Sequence, residues 1–485
     1  MLQLFAVLNV LSVVILVFAL AMAVPLIASL ALADGTLGVY EQAMLITAAA
    51  GMLLRLATKG RRRELQVRDG FLLVALVWTV IPAFATLPLL IYMPGLSFTD
   101  AYFETVSGLT TTGATVLSSL DKLPASIILW RALLIWLGGM GVIVLAVAIL
   151  PLLGVGGSQL FRAETPGPMK DTKLTPRIAE TAKGLWLVYF AITMACLLAY
   201  RWAGMTWFDA VIHGFTTMGL GGFSSHDASY AFWDSPRIEA VAIVFMLVAG
   251  MNFGTHFLAW RKLALAPYRS DPETIPFLAV TLLSCLAIAA YLQGQQVYPD
   301  YLTALRFAAF NVVSIATTTG YANTDYNLWP MFAPLWMLFL CSFCTCAGST
   351  GGGMKMIRAQ ILLRQLFREL LRIIHPRLYQ PVKISGQAVE NKVVFAVLGF
   401  AFVYVSCIIL MTLALTASGL DVLSAFSAVV ACINNTGPGL NQVGPATTFA
   451  VLSDFQTWVC TFAMLLGRLE LFTLLVVLTP AFWRK

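Results

Sequence analysis

Apolar stretches long enough to cross a bilayer recur from one end of this 485-residue chain to the other. A transmembrane helix needs about 20 such residues. Hydrophobic side chains make up 59% of the chain and charged ones 11%, which excludes an ordinary soluble protein. Because lipid offers the backbone no hydrogen-bond partners, only helices or a closed barrel can span it. Runs of this length predict helices, and hence an all-α polytopic membrane protein.

The charged residues alternate in sign from one predicted loop to the next. Basic residues gather in segments such as 59–68, 162–183 and 355–383, whereas the intervening loops are mostly acidic and include Asp100 and Glu104. This is the positive-inside pattern, and it predicts that both termini and the basic loops are cytoplasmic. The net charge of +7 then reflects orientation in a membrane and not nucleic-acid binding.

A short polar motif ending in glycine occurs four times, each time between two long apolar segments. Aligned on Gly113, Gly219, Gly320 and Gly437, the copies are separated by 106, 101 and 117 residues. A short amphipathic stretch precedes each copy and is predicted to be a helix with an aspartate as its N-cap. The four aspartates are Asp100, Asp209, Asp300 and Asp421.

The repeated unit is therefore a span, a short helix, a threonine-glycine loop and a second span. The short helices cannot cross the bilayer and must enter it and turn back. With two further helices at the start, four such units give ten spans, which keeps both termini on one side. The predicted boundaries are 1–69 for the two N-terminal helices and 70–160, 161–265, 266–385 and 386–485 for the four repeats.

Non-helical backbone at membrane depth is tolerated only where it is buried in protein or lines a water-filled cavity. Four such loops arranged around one axis can offer rings of carbonyl oxygens that replace the hydration shell of a cation. The motifs contain no carboxylate, whereas sites for divalent cations usually include charged oxygens. The loops therefore predict a filter for a monovalent cation.

With these motifs the chain resembles, over its whole length, the Trk/Ktr/HKT superfamily of potassium transporters, and most closely its bacterial TrkH family. The resemblance implies four concatenated potassium-channel-like span–pore-helix–span repeats around one pore. It implies transport of K⁺ and Rb⁺ with some Na⁺, because no copy keeps the TVGYG signature of homotetrameric channels. The implied filter residues are Thr111, Thr112, Gly113, Thr217, Met218, Gly219, Thr318, Thr319, Gly320, Asn435, Thr436 and Gly437.

Glycines interrupt the second span of the third repeat, within residues 344–355. Each internal glycine costs a helix about 1 kcal/mol, so the span is expected to break here. A phosphate-binding loop is excluded because Met354 separates the last glycine from Lys355. A simple kink and a gate below the filter remain open, and the resemblance implies a gate. Its residues are Gly348, Ser349, Thr350, Gly351, Gly352 and Gly353.

Arg468 lies near the middle of the last apolar segment. An arginine there costs about 2.5–3.5 kcal/mol and normally faces the bundle interior or a cavity. A structural ion pair with Glu470 is one interpretation, although residues two apart point to different faces of a helix. The resemblance implies the other, a positive barrier in the pore.

The remaining features suggest a transporter that is not an enzyme. The sequence shows no transition-metal ligand spacing, no catalytic set and no nucleotide-binding fingerprint, so we expect no cofactor on the chain beyond K⁺ as the transported ion. A secondary symporter that couples Na⁺ or H⁺ to a solute is the alternative, but such proteins usually contain inverted repeats. The resemblance implies a bacterial inner-membrane location, a homodimer, and a cytosolic nucleotide-binding ring of TrkA type as partner.

The segment 355–377 continues the interrupted span as an amphipathic helix in which arginines alternate with leucine and isoleucine. Its default interpretation is a helix whose arginines face lipid headgroups, and a docking site for a partner is the alternative. Its arginines are Arg358, Arg364, Arg368 and Arg372.

Overall fold

The computed structural model describes residues 2–59, 66–144 and 178–484, and these residues form an almost entirely helical bundle. The predicted end of the first repeat's second span and the basic residues at 61–63 and 162–177 lie outside the described residues. The two N-terminal helices are Leu2–Ala21 with its continuation Ala23–Leu32, and Leu37–Ala57.

Each repeat begins with an outer helix, continues into a pore helix and ends with an inner helix. The outer helices are Val67–Ala85 with Leu87–Tyr92, Ile178–Ala203, Thr274–Gly294 and Asn391–Ala417. The pore helices are Phe98–Leu109, Trp207–Gly219, Tyr301–Ala316 and Val422–Ile433. The inner helices are Ala125–Val144, Pro236–Ala249 with Phe253–Lys262, Phe332–Cys341 with Met356–Ile374, and Asp454–Arg468 with Phe472–Leu478.

The remaining elements are short. A two-stranded antiparallel sheet pairs Lys383–Ile384 with Gln387–Ala388 after the amphipathic helix Met356–Ile374. The other short helices are Leu120–Lys122, Ser229–Phe232, Ala266–Ser270, Tyr326–Leu328, Asn441–Val443, Phe449–Val451 and Pro480–Trp483.

Within the described residues, six helical segments are long and apolar enough to cross a membrane, and the number rises to eight if each of two bent inner-helix pairs is one span. The other two predicted spans are the first inner helix, which runs to the edge of a described range, and the third, which is divided in two. Four span–pore-helix–span repeats preceded by two helices are therefore confirmed.

The inner helices depart from the sequence expectation, which placed a break only in the third repeat. The second inner helix bends by 94° between Ala249 and Phe253, and the fourth by 116° between Arg468 and Phe472. Asn252 restarts the second helix by accepting a 2.7 Å hydrogen bond from the Gly254 nitrogen. In the fourth, Glu470 and Leu471 both take positive φ, which ends the helix without glycine or proline.

The prediction that the four aspartates cap the pore helices is correct for two of them. The carboxylates of Asp300 and Asp421 accept 2.9 Å hydrogen bonds from backbone nitrogens of the first helical turn. In the first two repeats the cap lies three residues earlier, because the Ser97 and Thr206 hydroxyls accept hydrogen bonds from the Asp100 and Asp209 nitrogens. A hydroxyl cap followed by an acidic residue three positions on is as stabilising an arrangement as an aspartate cap.

Candidate ion pathway

The four filter loops share one backbone hydrogen-bond pattern. After the pore helix, one residue adopts a left-handed conformation, and the next donates its N–H to the carbonyl five residues back. These donors are Thr112, Gly221, Thr319 and Thr436, and their acceptors are Ser107, Thr216, Ser314 and Ala431. The left-handed residues before them are Thr111, Leu220, Thr318 and Asn435. The pattern fixes which residues are equivalent.

This equivalence corrects the sequence alignment of the second repeat. Thr217, Met218 and Gly219 form the last turn of the pore helix Trp207–Gly219, so they do not occupy the loop positions assigned to them. The loop positions belong to Leu220, Gly221 and Gly222, three residues later. In the other three repeats the structure places the named residues in the loop itself.

The four equivalent glycines form a closed ring, and each lies against the next. A methyl group added at Gly113 would lie 2.2 Å from the Gly222 nitrogen, and one at Gly222 would lie 2.8 Å from the Gly320 oxygen. A methyl at Gly320 would lie 2.1 Å from the Thr436 oxygen, and one at Gly437 would lie 2.7 Å from the Thr112 oxygen. No side chain fits at these distances, so the ring requires glycine.

Carbonyl oxygens are prominent among the atoms around this ring. Those of Thr112, Thr319, Gly320 and Thr436 all lie within 3 Å of the methyl positions considered above. Gly113, Gly320 and Gly437 have φ values of +79°, +88° and +99°, which other residues rarely adopt. The pore helices end at the loops, so their partially negative C-terminal ends favour a cation there.

A cavity of about 320 Å³ opens on the outer side of the ring. Three of the ring glycines line it, together with Pro438 that follows the fourth. Its wall mixes polar residues, among them Thr115, Ser224 and His226, with apolar ones such as Phe223 and Phe449. The cavity therefore leaves open space directly beside the ring glycines.

The glycine-rich segment of the third repeat lies on the opposite side of the ring, against the residues that precede the ring glycines. It replaces helix between Cys341 and Met356, as expected from the sequence. The Gly352 nitrogen donates a 2.8 Å hydrogen bond to the Thr318 hydroxyl, and the Thr350 hydroxyl donates a 3.0 Å bond to the Met218 oxygen. This segment, residues 344–355, is called the intramembrane loop below.

Close packing of the intramembrane loop against the filter also requires glycine. A methyl group at Gly352 would lie 2.0 Å from the Asn434 oxygen, and one at Gly351 would lie 3.1 Å from the Thr317 oxygen. The loop thus contacts the end of the second pore helix and the filter loops of the third and fourth repeats. It packs directly against the side of the ring opposite the cavity.

Arg468 is 4% exposed and joins the intramembrane loop to another repeat. Its guanidinium donates a 2.8 Å hydrogen bond to the Thr350 oxygen and a 2.9 Å hydrogen bond to the Gly138 oxygen on the first inner helix. It also lies 5.8 Å from the centre of the Trp78 ring. The alternative interpretation, an ion pair between Arg468 and Glu470, does not hold, because Glu470 forms its ion pair with Arg358 at 2.7 Å.

Comparison with known proteins gives a single family. The family model for TrkH, described as a cation transport protein, matches residues 38–485. The chain belongs to the TrkH family. It is 46% identical to the Trk system potassium uptake protein TrkH of Halomonas elongata and 44% identical to that of Escherichia coli K12, in both cases over 99% of each chain. The crystal structure of the potassium transporter TrkH from Vibrio parahaemolyticus superposes with a TM-score of 0.92 at 43% identity, covering 99% of this chain and 100% of that one.

The family assignment confirms the predicted resemblance, the fold and the expectation of a transporter that is not an enzyme. It also confirms a multi-pass membrane protein. In the residues that the structure describes, no cluster of metal-ligating side chains occurs.

Sequence reasoning missed the side chains that anchor this TrkH-family intramembrane loop. The Lys355 ammonium group donates to the Gly351 oxygen, folding the loop back on itself. The Glu273 carboxylate, fully buried, accepts from the nitrogens of Ala347 and Ile357 at 3.0 and 2.9 Å. The available signal was a charged residue at the end of an apolar run, which in a membrane protein usually points inward.

The amphipathic helix Met356–Ile374 presents its faces differently from the default expectation. Arg358 and Arg368 are 1% and 5% exposed and face the protein. Arg368 donates a 2.9 Å hydrogen bond to the Asn391 side chain. The apolar side instead faces outward. Its exposed members are Leu363, Leu366, Phe367, Leu370, Ile373 and Ile374.

Proposed function

We propose that this chain is the pore-forming subunit of a potassium uptake system. K⁺ passes through the ring of filter backbones, Rb⁺ follows the same path, and Na⁺ passes less readily. The observation that carries the proposal is the closed contact of Gly113, Gly222, Gly320 and Gly437, because it brings four carbonyl-rich loops around one axis. The printed names of its relatives, Trk system potassium uptake proteins, supply the ion.

The intramembrane loop and Arg468 are the proposed gate. The loop fills the inner side of the ring, and Arg468 holds Thr350 of that loop against the first inner helix. A guanidinium at this position also opposes cation passage directly. Opening then requires the loop to leave the filter and the arginine to release it, which clears the obstacle and moves the charge in one step.

The resting contacts of the gate lead to the amphipathic helix. Met356 begins this helix directly after the loop, and Arg358 in its first turn is paired with Glu470, which lies within the fourth inner-helix break. A cytosolic nucleotide-binding ring of TrkA type is the proposed partner that moves this helix. The exposed apolar face of the helix is the proposed contact between two copies in a homodimer, in a bacterial inner membrane with both termini cytoplasmic.

The direct test is uptake of radioactive Rb⁺ into proteoliposomes that contain the chain alone, with K⁺, Na⁺ and Li⁺ as competitors. Gly320→Ser is the test variant, because its added atom would enter the ring at a backbone angle that serine rarely adopts. Gly399→Ser is the matched control, since nothing lies within 4 Å of a methyl group added there.

Uptake without an imposed Na⁺ or H⁺ gradient, competed best by K⁺, is the expected result. Gly320→Ser should change the order of competition, and Gly399→Ser should not. Uptake that requires an imposed gradient and a co-transported solute would contradict the pore and favour the symporter. An unchanged competition order in Gly320→Ser would contradict the assignment of the filter.

A further inference from the structure

A buried ion pair in the first repeat supports the extended segment that follows the ring glycine of its filter loop. This segment is called the outgoing strand below. Glu104 on the pore helix and Arg131 on the inner helix form it at 2.7 Å, with side chains 1% and 2% exposed. The Thr115 hydroxyl, two residues after the ring glycine, donates to both carboxylate oxygens at 3.0 and 2.9 Å. The Val116 nitrogen donates to the same carboxylate at 3.0 Å.

The pair also reaches the neighbouring loops. The Arg131 guanidinium lies 4.1 Å from the centre of the Phe223 ring, and Phe223 directly follows Gly222 of the second filter loop. The Thr115 oxygen accepts a 2.9 Å hydrogen bond from the Phe449 nitrogen of the fourth repeat. Three repeats thus meet at this cluster, next to the ring.

The second and third repeats place a different, uncharged group at the corresponding position, whereas the fourth has Ala428 there and uses the neighbouring Ser427. Glu104, His213 and Asn311 each precede their own ring glycine by nine residues. The imidazole of His213 lies 3.0 Å from the Ser224 hydroxyl, and the Asn311 amide donates a 2.6 Å hydrogen bond to the Asn323 side chain. In the fourth repeat, the hydroxyl of Ser427 accepts 2.8 Å from the Leu440 nitrogen. Every repeat therefore braces its outgoing strand from the pore helix, and only the first uses a charge pair.

We propose that Glu104 and Arg131 are selectivity-determining positioning residues that hold the first filter strand, and with it Gly113, at the ring. This inference rests on the proposed function, and it concerns discrimination between K⁺ and Na⁺, not passage itself. A ring that selects a cation by oxygen position depends on strands that do not yield to the smaller ion. The pair holds the strand through four hydrogen bonds, three accepted by the Glu104 carboxylate and one donated by Arg131 to the Thr115 hydroxyl.

Replacement by glutamine tests the proposal because every group around the carboxylate donates. Arg131 Nε, at 2.8 Å, and the Val116 nitrogen can only donate hydrogen bonds. A glutamine amide has one accepting oxygen and one NH₂ group, so Glu104→Gln sets a donor against a donor and displaces the strand or the arginine. The matched control is Glu239→Gln. It removes a carboxylate of similar burial on the second inner helix, paired at 2.7 Å with Arg306 on the third pore helix and not with a filter strand.

The measurement is the selectivity ratio for Rb⁺ over Na⁺. It is obtained from Rb⁺ uptake into proteoliposomes and the inhibition of that uptake by added Na⁺. We expect discrimination to fall on the order of fivefold to tenfold in Glu104→Gln, as one unmatched buried hydrogen-bonding group would allow. Glu239→Gln should keep the wild-type ratio. If Glu104→Gln does not purify as a folded protein, Thr115→Val removes the bridging hydroxyl at constant size and should lower the ratio likewise.

The outcomes separate this inference from the proposed function. The positioning role of Glu104 and Arg131 would be overturned by a wild-type ratio in Glu104→Gln or, where that variant fails to fold, in Thr115→Val. Either result would leave the proposed pore in place. An equal fall in Glu239→Gln would also overturn the positioning role, because loss of any buried charge pair would then suffice. Absence of Rb⁺ uptake by the wild-type chain would overturn the proposed function together with the positioning role.

Discussion

The Arg468 guanidinium donates a 2.8 Å hydrogen bond to the carbonyl oxygen of Thr350, 118 positions away in the chain. The contact joins the end of the last long inner-helix segment to the loop that fills the inner side of the filter. Its second hydrogen bond, to Gly138, ties both to the first inner helix. A single side chain therefore joins three repeats.

Arg468→Gln should raise Rb⁺ uptake by the chain alone. A hydrogen bond to a charged group contributes about 1.5–3 kcal/mol, and about 1.4 kcal/mol changes an equilibrium tenfold. We therefore expect uptake to rise about tenfold. Arg201→Gln is the control, since Arg201 also donates to a backbone oxygen, that of Met205, away from the pore. Unchanged or lower uptake in Arg468→Gln would contradict the role of Arg468 in the gate.

Gly222→Ala tests the corrected register of the second filter loop. Its methyl group would lie 2.8 Å from the Gly320 oxygen, which forces the third loop to move. We expect Rb⁺ uptake to fall about tenfold or more, or to lose its preference for K⁺ over Na⁺, in a competition assay. Gly399→Ala, where the added methyl meets no neighbour, should behave as the wild type. Wild-type uptake and competition in Gly222→Ala would show that Gly222 does not belong to the ring.

The ion pair between Arg358 and Glu470 predicts a non-additive effect on stability. An exposed pair contributes up to about 1 kcal/mol, and breaking a buried one costs about 3–5 kcal/mol. With the two side chains 1% and 40% exposed, we expect a loss between these values for Glu470→Gln. Arg358→Met combined with Glu470→Gln should lose less than the sum of the single variants, measured by thermal unfolding in detergent. Additive losses would show that the two residues are not coupled.

Asp34 predicts a pH-dependent contribution to stability. Its carboxylate accepts from the Ser29 and Thr36 hydroxyls at 2.6 and 2.8 Å and from the Ser126 nitrogen at 2.9 Å. Burial raises the pKa of Asp34, but the hydrogen bonds from Ser29, Ser126 and Thr36 together outweigh it, so the pKa lies well below its ordinary value of 3.8.

A carboxylate with a lowered folded-state pKa stabilises the protein above its unfolded pKa, and this stability is lost as the pH falls towards the folded value. Asp34→Asn should therefore lower the melting temperature at pH 7, by the equivalent of about 2 kcal/mol. The difference from the wild type should shrink as the pH falls below about 4. Exposed Glu41→Gln is the control. A difference that grows in acid would contradict this sign.

Much of the architecture follows from features that a sequence displays directly. Apolar runs, alternating loop charge and a motif in four similar contexts were enough to predict the repeats, and the glycines around Thr350 were enough to predict the third inner-helix break. The other two breaks were not predictable in this way. Neither is made by glycine alone or by proline, and the fourth depends on left-handed backbone at Glu470 and Leu471 that tertiary contacts impose.

The second filter loop shows why motif alignment failed by three residues. Thr216, Thr217 and Gly219 imitate the threonine-glycine pattern of the other repeats, but the helix continues through them. Leu220 is the first residue with left-handed backbone, and a leucine carries no local signal for that conformation. Long-range contact with Gly113 and Gly320 sets the register.

Glu104 was assigned to an acidic outer loop, and Arg131 was not singled out at all. The structure buries both, which corrects the loop assignment of Glu104. An arginine within an apolar segment was the available signal, since such residues usually face a partner inside the bundle. The partner itself, 27 residues earlier, follows only from the packing of the inner helix on the pore helix.

The order of contacts around the glycine ring has a consequence for biosynthesis. The chain emerges from the ribosome from its first repeat to its last, but the ring closes only where Gly437 meets the Thr112–Gly113 backbone. A nascent or truncated polypeptide without the fourth repeat has an open quadrant and cannot enclose a pathway. Joining the four quarters in one polypeptide thus fixes the composition of the ring at one copy of each loop, with no separate assembly step.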